Sequence, residues 1–170
     1  MKIAISGKSG CGNTTVSKLV AERLGIRWIN YTFRMMAHDK GLRFSELCRL
    51  AEKDDAYDRE LDRHQIELAQ EGDCVLGSRL AIWLLKDADV KIFLDASEKV
   101  RSERIYSREG GDCKQKFLET RERDKADSAR YRRIYGIDNT DTSAADLIID
   151  TERYTTDEIA EIIIREVTVK

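Results

Sequence analysis

The 170-residue sequence contains no proline, only 2 histidines, no CxxC pair and no excess of either charge. Each shortage excludes something. Without proline the chain lacks one of the usual domain-boundary markers, and no repeat, low-complexity tract or linker supplies another, so it reads as one unit. His38 and His64 stand in polar helical surroundings with no partner pattern for metal binding or base catalysis. Cys11, Cys48, Cys74 and Cys113 are widely spaced, which argues against a zinc knuckle or redox dithiol and for reduced thiols. With 30 basic and 32 acidic residues the net charge is -2, so no overall field favours a nucleic acid polymer or an anionic membrane. Any anion site has to be local. No apolar stretch approaches the length of a signal sequence or a membrane span, so a cytoplasmic location is the expectation, and a monomer is the default beside it.

What is present is 41% hydrophobic and 36% charged, the composition of an ordinary soluble globule. Short β-prone runs alternate with helical patterns. Strands are expected at Lys2 to Ser6, Arg27 to Tyr31, Cys74 to Leu76, Val90 to Leu94 and Leu147 to Asp150. Between them, Thr14 to Leu24 shows helical spacing, a charge-rich helical region runs from Phe33 to Gln70, and Ser97 to Tyr135 is helix-prone but interrupted at Gly110-Gly111. Thr156 to Val167 closes the chain as an amphipathic helix. This alternation predicts an α/β fold with a parallel sheet covered on both faces.

Between the first strand and first helix lies Gly7-Lys8-Ser9-Gly10-Cys11-Gly12-Asn13-Thr14-Thr15. Glycines there let backbone N–H groups approach phosphate oxygens, and the helix amino terminus adds unpaired donors and partial positive charge. Thr14 occupies the hydroxyl position that ligates magnesium in such loops. The usual lysine before it is replaced by Asn13, which can donate a hydrogen bond but supplies no full charge. Lys8 sits where deviant loops of some ATPases carry a signature lysine, so either Lys8 or a lid arginine fills the gap, or Lys8 points into solvent. The bland alternative is a tight glycine turn with no ligand. Cys11 reads as a small filler, although alkylation there could block nucleotide entry.

Taken with Phe33-Arg34, Leu50-Ala51-Glu52-Lys53-Asp54, Gly77-Ser78-Arg79-Leu80-Ala81 and Arg130-Tyr131 to Tyr135-Gly136-Ile137-Asp138, this loop resembles the cytidylate kinases, particularly the compact archaeal type. The resemblance spans nearly the whole chain. It implies the P-loop nucleoside monophosphate kinase fold, a five-stranded parallel sheet flanked by helices, with ATP as phosphoryl donor, Mg2+ as cofactor and CMP or dCMP as acceptor. Implied with it are a core of residues 1–31, 72–103 and 139–170, an acceptor-binding region at about 32–71 and an arginine-rich lid at about 104–138. The same resemblance assigns Arg34 and Arg79 to the acceptor phosphate, Arg123 and Arg130 to the transferring phosphates, Asp127 to acceptor recognition and Thr32 to a substrate contact, with Arg104 and Arg108 as further candidates.

Several residues carry competing readings. Thr32 could be only a helix cap. Asp58 and Asp62 share a helix face beside Arg59 and Arg63, and structural ion pairing is their expected role. Relatives often carry an acidic residue where this chain has Gly77-Ser78, and Asp95 is expected to cap the helix near Ser97 rather than to support a metal. Trp28, Trp83 and Tyr131 are expected to pack. Two alternatives remain open beside the cytidylate kinase reading: a kinase for another nucleoside monophosphate or small acceptor, and a nucleotide-binding regulatory module without turnover.

Overall fold

The structure, a computed structural model, describes residues 1–169. Five strands, β1 (Lys2–Gly7), β2 (Arg27–Ile29), β3 (Cys74–Gly77), β4 (Val90–Asp95) and β5 (Leu147–Asp150), form one all-parallel sheet in the order β2-β3-β1-β4-β5. In the centre, Ile3, Ala4 and Ile5 are fully buried, as an apolar strand covered on both faces requires.

Helices α1 (Asn13–Leu24) and α8 (Thr156–Val169) cover one face, where Val16, Val20, Ile159 and Ile163 pack on Ile3, Ile5, Ile92 and Leu94. On the other face Ala4, Leu76 and Phe93 meet Ile82 from the short α5 (Ala81–Leu84), with Leu85 just beyond it. The chain leaves α1 through Gly25, whose φ of 65° is the left-handed cap that lets Ile26 N–H reach back to Ala21 O at 3.1 Å.

All five strands appear where the sequence places them, although the second ends at Ile29 and the third extends to Gly77. The region from Phe33 to Gln70 is three helices, α2 (Phe33–Asp39), α3 (Phe44–Ala51) and α4 (Ala56–Gln70), joined around a small core of Met36, Ala37 and Leu47. The later polar stretch is two, α6 (Glu98–Glu109) and α7 (Cys113–Tyr135), separated where Gly110 and Gly111 take positive φ and Asp112 caps the second through Gln115 N–H at 2.8 Å. The cap of α6 differs from expectation. Ser97 Oγ accepts from Val100 N–H at 3.3 Å, while Asp95, two residues before that cap, accepts from Ala96 N–H.

Chain direction decides where a ligand goes. From β1 the chain crosses to β2 on one side of the sheet, whereas β4 and β5 lie on the other, so a crevice opens at the carboxyl end of β1. Close packing of α1 on β3 borders it. A Cβ added at Gly77 would lie 2.3 Å from Ser17 Oγ and 2.7 Å from Ser17 Cβ, so no acidic side chain fits at this strand end. Ser17 is itself held by Trp28 Nε1–H at 2.9 Å. Gly77→Ala is therefore expected to destabilise the fold by about 2 kcal/mol, the usual cost of overpacking, read as a lowered denaturation midpoint; a midpoint equal to the wild type would show that α1 yields.

Candidate active site

The crevice is a cavity of about 690 Å³ bounded by the loop from Gly7 to Thr15, the β2–α2 connection, α4, Arg79, and the facing sides of α6 and α7. Its floor is the glycine loop. Gly10 and Gly12 have φ of 86° and 96°, a conformation that favours glycine, and Cys11 N–H closes a turn onto Lys8 O at 3.1 Å. No side chain caps α1 and no acidic residue stands in its first turn, so its free N–H groups and positive dipole end face the cavity.

Asn13 turns inward. Its Nδ2 donates to Gly7 O at 2.8 Å, bracing the loop, and its Oδ1 is buried without a partner. Asn13 is thus a latch across the loop, and the positive charge at the phosphate position has to come from elsewhere. Lys8, Arg79, Arg104, Arg108, Arg123 and Arg130 all line the cavity. Cys11 is buried, as a small filler would be, and burial pushes its thiol up to about 11.

A buried network sets the arginines. Asp127 is 7% exposed and pairs with Arg79 Nη1 through one oxygen and with Arg130 Nη2 at 3.1 Å through the other. The carboxylate lies beside a small space behind Lys8 and Arg79, outside the main cavity lining. Arg123 donates to Ser9 Oγ at 3.3 Å, while Arg104 reaches Gly10 O at 3.3 Å and Thr151 Oγ1 at 2.8 Å. Arg108 pairs with Glu109 at 2.7 Å. Arg34 does not join them: it is exposed on α2, with its guanidinium 4.4 Å from the Phe44 ring centroid. Thr32 caps α2 through Met35 N–H at 3.3 Å and also lines the cavity.

Asp58 keeps the structural ion pairing expected of it, with Arg130 of α7 as its partner, whereas Asp62 hydrogen-bonds Tyr135 instead. Neither pairs with Arg59 or Arg63; both face the cavity and α7. Asp58, 4% exposed, lies 3.2 Å from Arg130 Nε, and its Oδ2 is buried without a partner; burial raises its carboxyl, opposed by Arg130. Asp62 accepts from the Tyr135 hydroxyl at 2.6 Å, and burial raises it to about 6 despite that bond. Periodicity held the signal: Asp58, Asp62 and Gln65 recur at helical spacing, a polar stripe hidden because α4 is charged on its other faces too. Also missed was Arg101, which is 3% exposed and joins Asp124 of α7 to Ser9 O of the loop.

For a divalent cation the fit is partial and of one kind. Among the described residues no cluster of three His, Cys, Asp or Glu side chains is placed to hold a metal. Thr14, exposed at the start of α1, offers a hydroxyl to the cavity. One hydroxyl suits Mg2+, which keeps several waters and takes remaining ligands from nucleotide phosphates. Among the described residues no helix is long and apolar enough to cross a membrane.

Similarity to known proteins agrees with this geometry. The sequence model of the cytidylate kinase-like family matches residues 2–153. Cytidylate kinase 2 of Borreliella afzelii is 46% identical over 98% of this chain and 96% of its own length. Cytidylate kinase of Pyrococcus horikoshii is 42% identical over 95% of this chain and 85% of its own. Among solved structures, shikimate kinase from Bacteroides thetaiotaomicron superposes with a TM-score of 0.67 at 16% identity, covering 99% of this chain and 98% of that one, a likeness of fold alone. An uncapped helix start beneath a ring of arginines, and sequence identity running almost end to end, lead to one assignment: this chain belongs to the cytidylate kinase-like family.

Proposed function

We propose that the chain transfers the γ-phosphoryl group of ATP to CMP or dCMP, giving ADP and the nucleoside diphosphate. Carrying this reading is the single cavity that joins the open amino terminus of α1 and its arginines to a second, polar compartment against α4. The loop from Gly7 to Thr15 cradles the donor phosphates, and the Thr14 hydroxyl would hold Mg2+, which would supply charge neutralisation there. An oxygen of the acceptor phosphate attacks the γ-phosphorus in line, and the bond to the β,γ-bridging oxygen breaks, leaving that electron pair on ADP. A phosphate acceptor is already ionised, so no general base is needed.

Arg79 and Arg130 hold the acceptor and transferring phosphates at planar, permanently charged forks, and Arg123 joins them from α7. Asp127 acts as a positioning residue, since both its oxygens aim arginines at the cavity. Lys8 replaces the charge that Asn13 lacks; it lines both the main cavity and the space beside Arg79. Arg34 meets the acceptor only if α2 moves inward, while α7 and the Gly110-Gly111 break form the lid.

The test is ADP release with Mg2+, ATP and each of CMP, dCMP, UMP, AMP and GMP, run on the wild type and on Lys8→Ala. CMP and dCMP are expected to dominate, with Lys8→Ala slower by at least tenfold, on the order of one lost charged contact. Dominance of another acceptor would move the base assignment, ATP binding without any turnover would favour a regulatory module, and an unchanged Lys8→Ala rate would remove Lys8 from the site.

A further inference from the structure

Tyr131 lies near the carboxyl end of α7, 5% exposed, and lines the cavity. Backbone and ring are both fixed. Gly136 ends the helix at a φ of 66°, so that Ile137 N–H returns to Tyr131 O at 3.3 Å, and the Arg130 guanidinium lies 5.4 Å from the centre of the ring. The ring packs, as expected of it. Its hydroxyl interacts with Arg79 and Arg130, whose charges oppose the burial that pushes the phenol above its usual range, so the group stays protonated at neutral pH. Arginine only donates, so toward both guanidinium groups the phenol oxygen is an acceptor, and its own hydrogen needs a partner elsewhere. Asp127, the carboxylate beside it, already gives one oxygen to Arg79 and the other to Arg130. What remains is the cavity, at the point where two phosphate-binding arginines meet.

We propose that Tyr131 is a ligand of the acceptor phosphate, its hydroxyl donating a hydrogen bond to a phosphate oxygen held between Arg79 and Arg130. This deepens, and rests on, the reading of the chain as a nucleoside monophosphate kinase. The phosphate has one oxygen that attacks and others that must be held, and the two guanidinium forks hold them by charge. A third cation at this point would draw electron density from the attacking oxygen as well. A neutral hydroxyl fixes the orientation of the phosphate and weakens its nucleophilicity less. Burial of the ring keeps the donor in one place before the substrate arrives, so little freedom is lost on binding.

The experiment compares Tyr131→Phe with the wild type, since phenylalanine keeps the ring against Arg130 and removes only the hydroxyl. At saturating ATP, kcat/KM for CMP is expected to fall about 10- to 100-fold, the scale of one hydrogen bond to a charged group, and to fall equally for dCMP, which carries the same phosphate. Inhibition by cytidine, which has no phosphate, is the same in both proteins, and ATP affinity stays within about threefold. The ratio of CMP to cytidine affinity decides the question even in a less stable variant, because loss of folded protein lowers both alike. The fall in CMP affinity persists on an Arg79→Ala background, where a hydroxyl that only braced Arg79 would have nothing left to lose. A wild type that phosphorylates CMP, with Tyr131→Phe changing kcat/KM by less than about threefold, overturns this inference alone. A loss that spares dCMP also overturns it, by placing the hydroxyl on the sugar. A wild type that phosphorylates no nucleoside monophosphate overturns the kinase reading with it.

Discussion

Replacing Arg79 by alanine is expected to lower kcat/KM for CMP about a thousandfold while leaving ATP affinity within about threefold, the scale of removing one preorganised charge from a phosphoryl-transfer site. Arg79 stands just beyond β3 at the cavity wall, beside Lys8 of the glycine loop, with its guanidinium braced by Asp127. Bracing matters because an arginine already aimed loses little freedom when substrate arrives, so its interaction goes into the transition state. Arg79→Lys is expected to recover no more than about tenfold, since an ammonium cannot grip two oxygens in one plane. Asp127→Asn should cost less than Arg79→Ala, because it loosens two arginines but removes neither charge. A loss under about tenfold in Arg79→Ala at saturating ATP would place Arg79 outside the reacting centre and leave Arg130 and Arg123 as the phosphate groups.

The parts legible in the sequence were those whose signal is local. Apolar runs such as Ile3-Ala4-Ile5 can only be buried strands in this composition, and a glycine loop between a strand and a helix specifies its own geometry. Arg79, Arg123 and Arg130 were found through a family resemblance; spacing alone would have left them among many surface charges. What was not legible depended on partners distant in the chain. Asp58 and Asp62 looked like helix-surface ions because their actual partners, Arg130 and Tyr135, lie more than seventy residues away on α7. Arg34 carried a family role, yet Phe44 of α3 competes for its guanidinium in this conformation. Asn13 was recognised as a departure, but its function as a loop latch needed the position of the Gly7 carbonyl.

Arg101 is where the loop, the sheet and the lid helix are tied together, and Arg101→Met is expected to destabilise the protein by about 3–5 kcal/mol, the scale of breaking one side of a buried ion pair. Its guanidinium donates to Ala96 O and Ser9 O at 3.1 Å each and forks onto both oxygens of Asp124, the shorter contact 2.6 Å. Methionine fills similar volume but satisfies none of these acceptors, and Asp124, 14% exposed at its side chain, would be left as an unpaired charge in poor solvent. At 2–4 °C per kcal/mol for a chain of this size, the melting temperature should drop by roughly 10 °C. Asp124→Leu in the same chain removes the stranded charge, so the double variant should be more stable than Arg101→Met alone, with a coupling above about 1 kcal/mol. If the two substitutions were additive instead, the pair would not be a unit. ATP affinity should fall in Arg101→Met and stay low in the double variant, because neither restores the bond to Ser9 O that helps set the loop. Stability and nucleotide binding thus separate in the double variant, which identifies the guanidinium as both a structural tie and a support for the phosphate cradle.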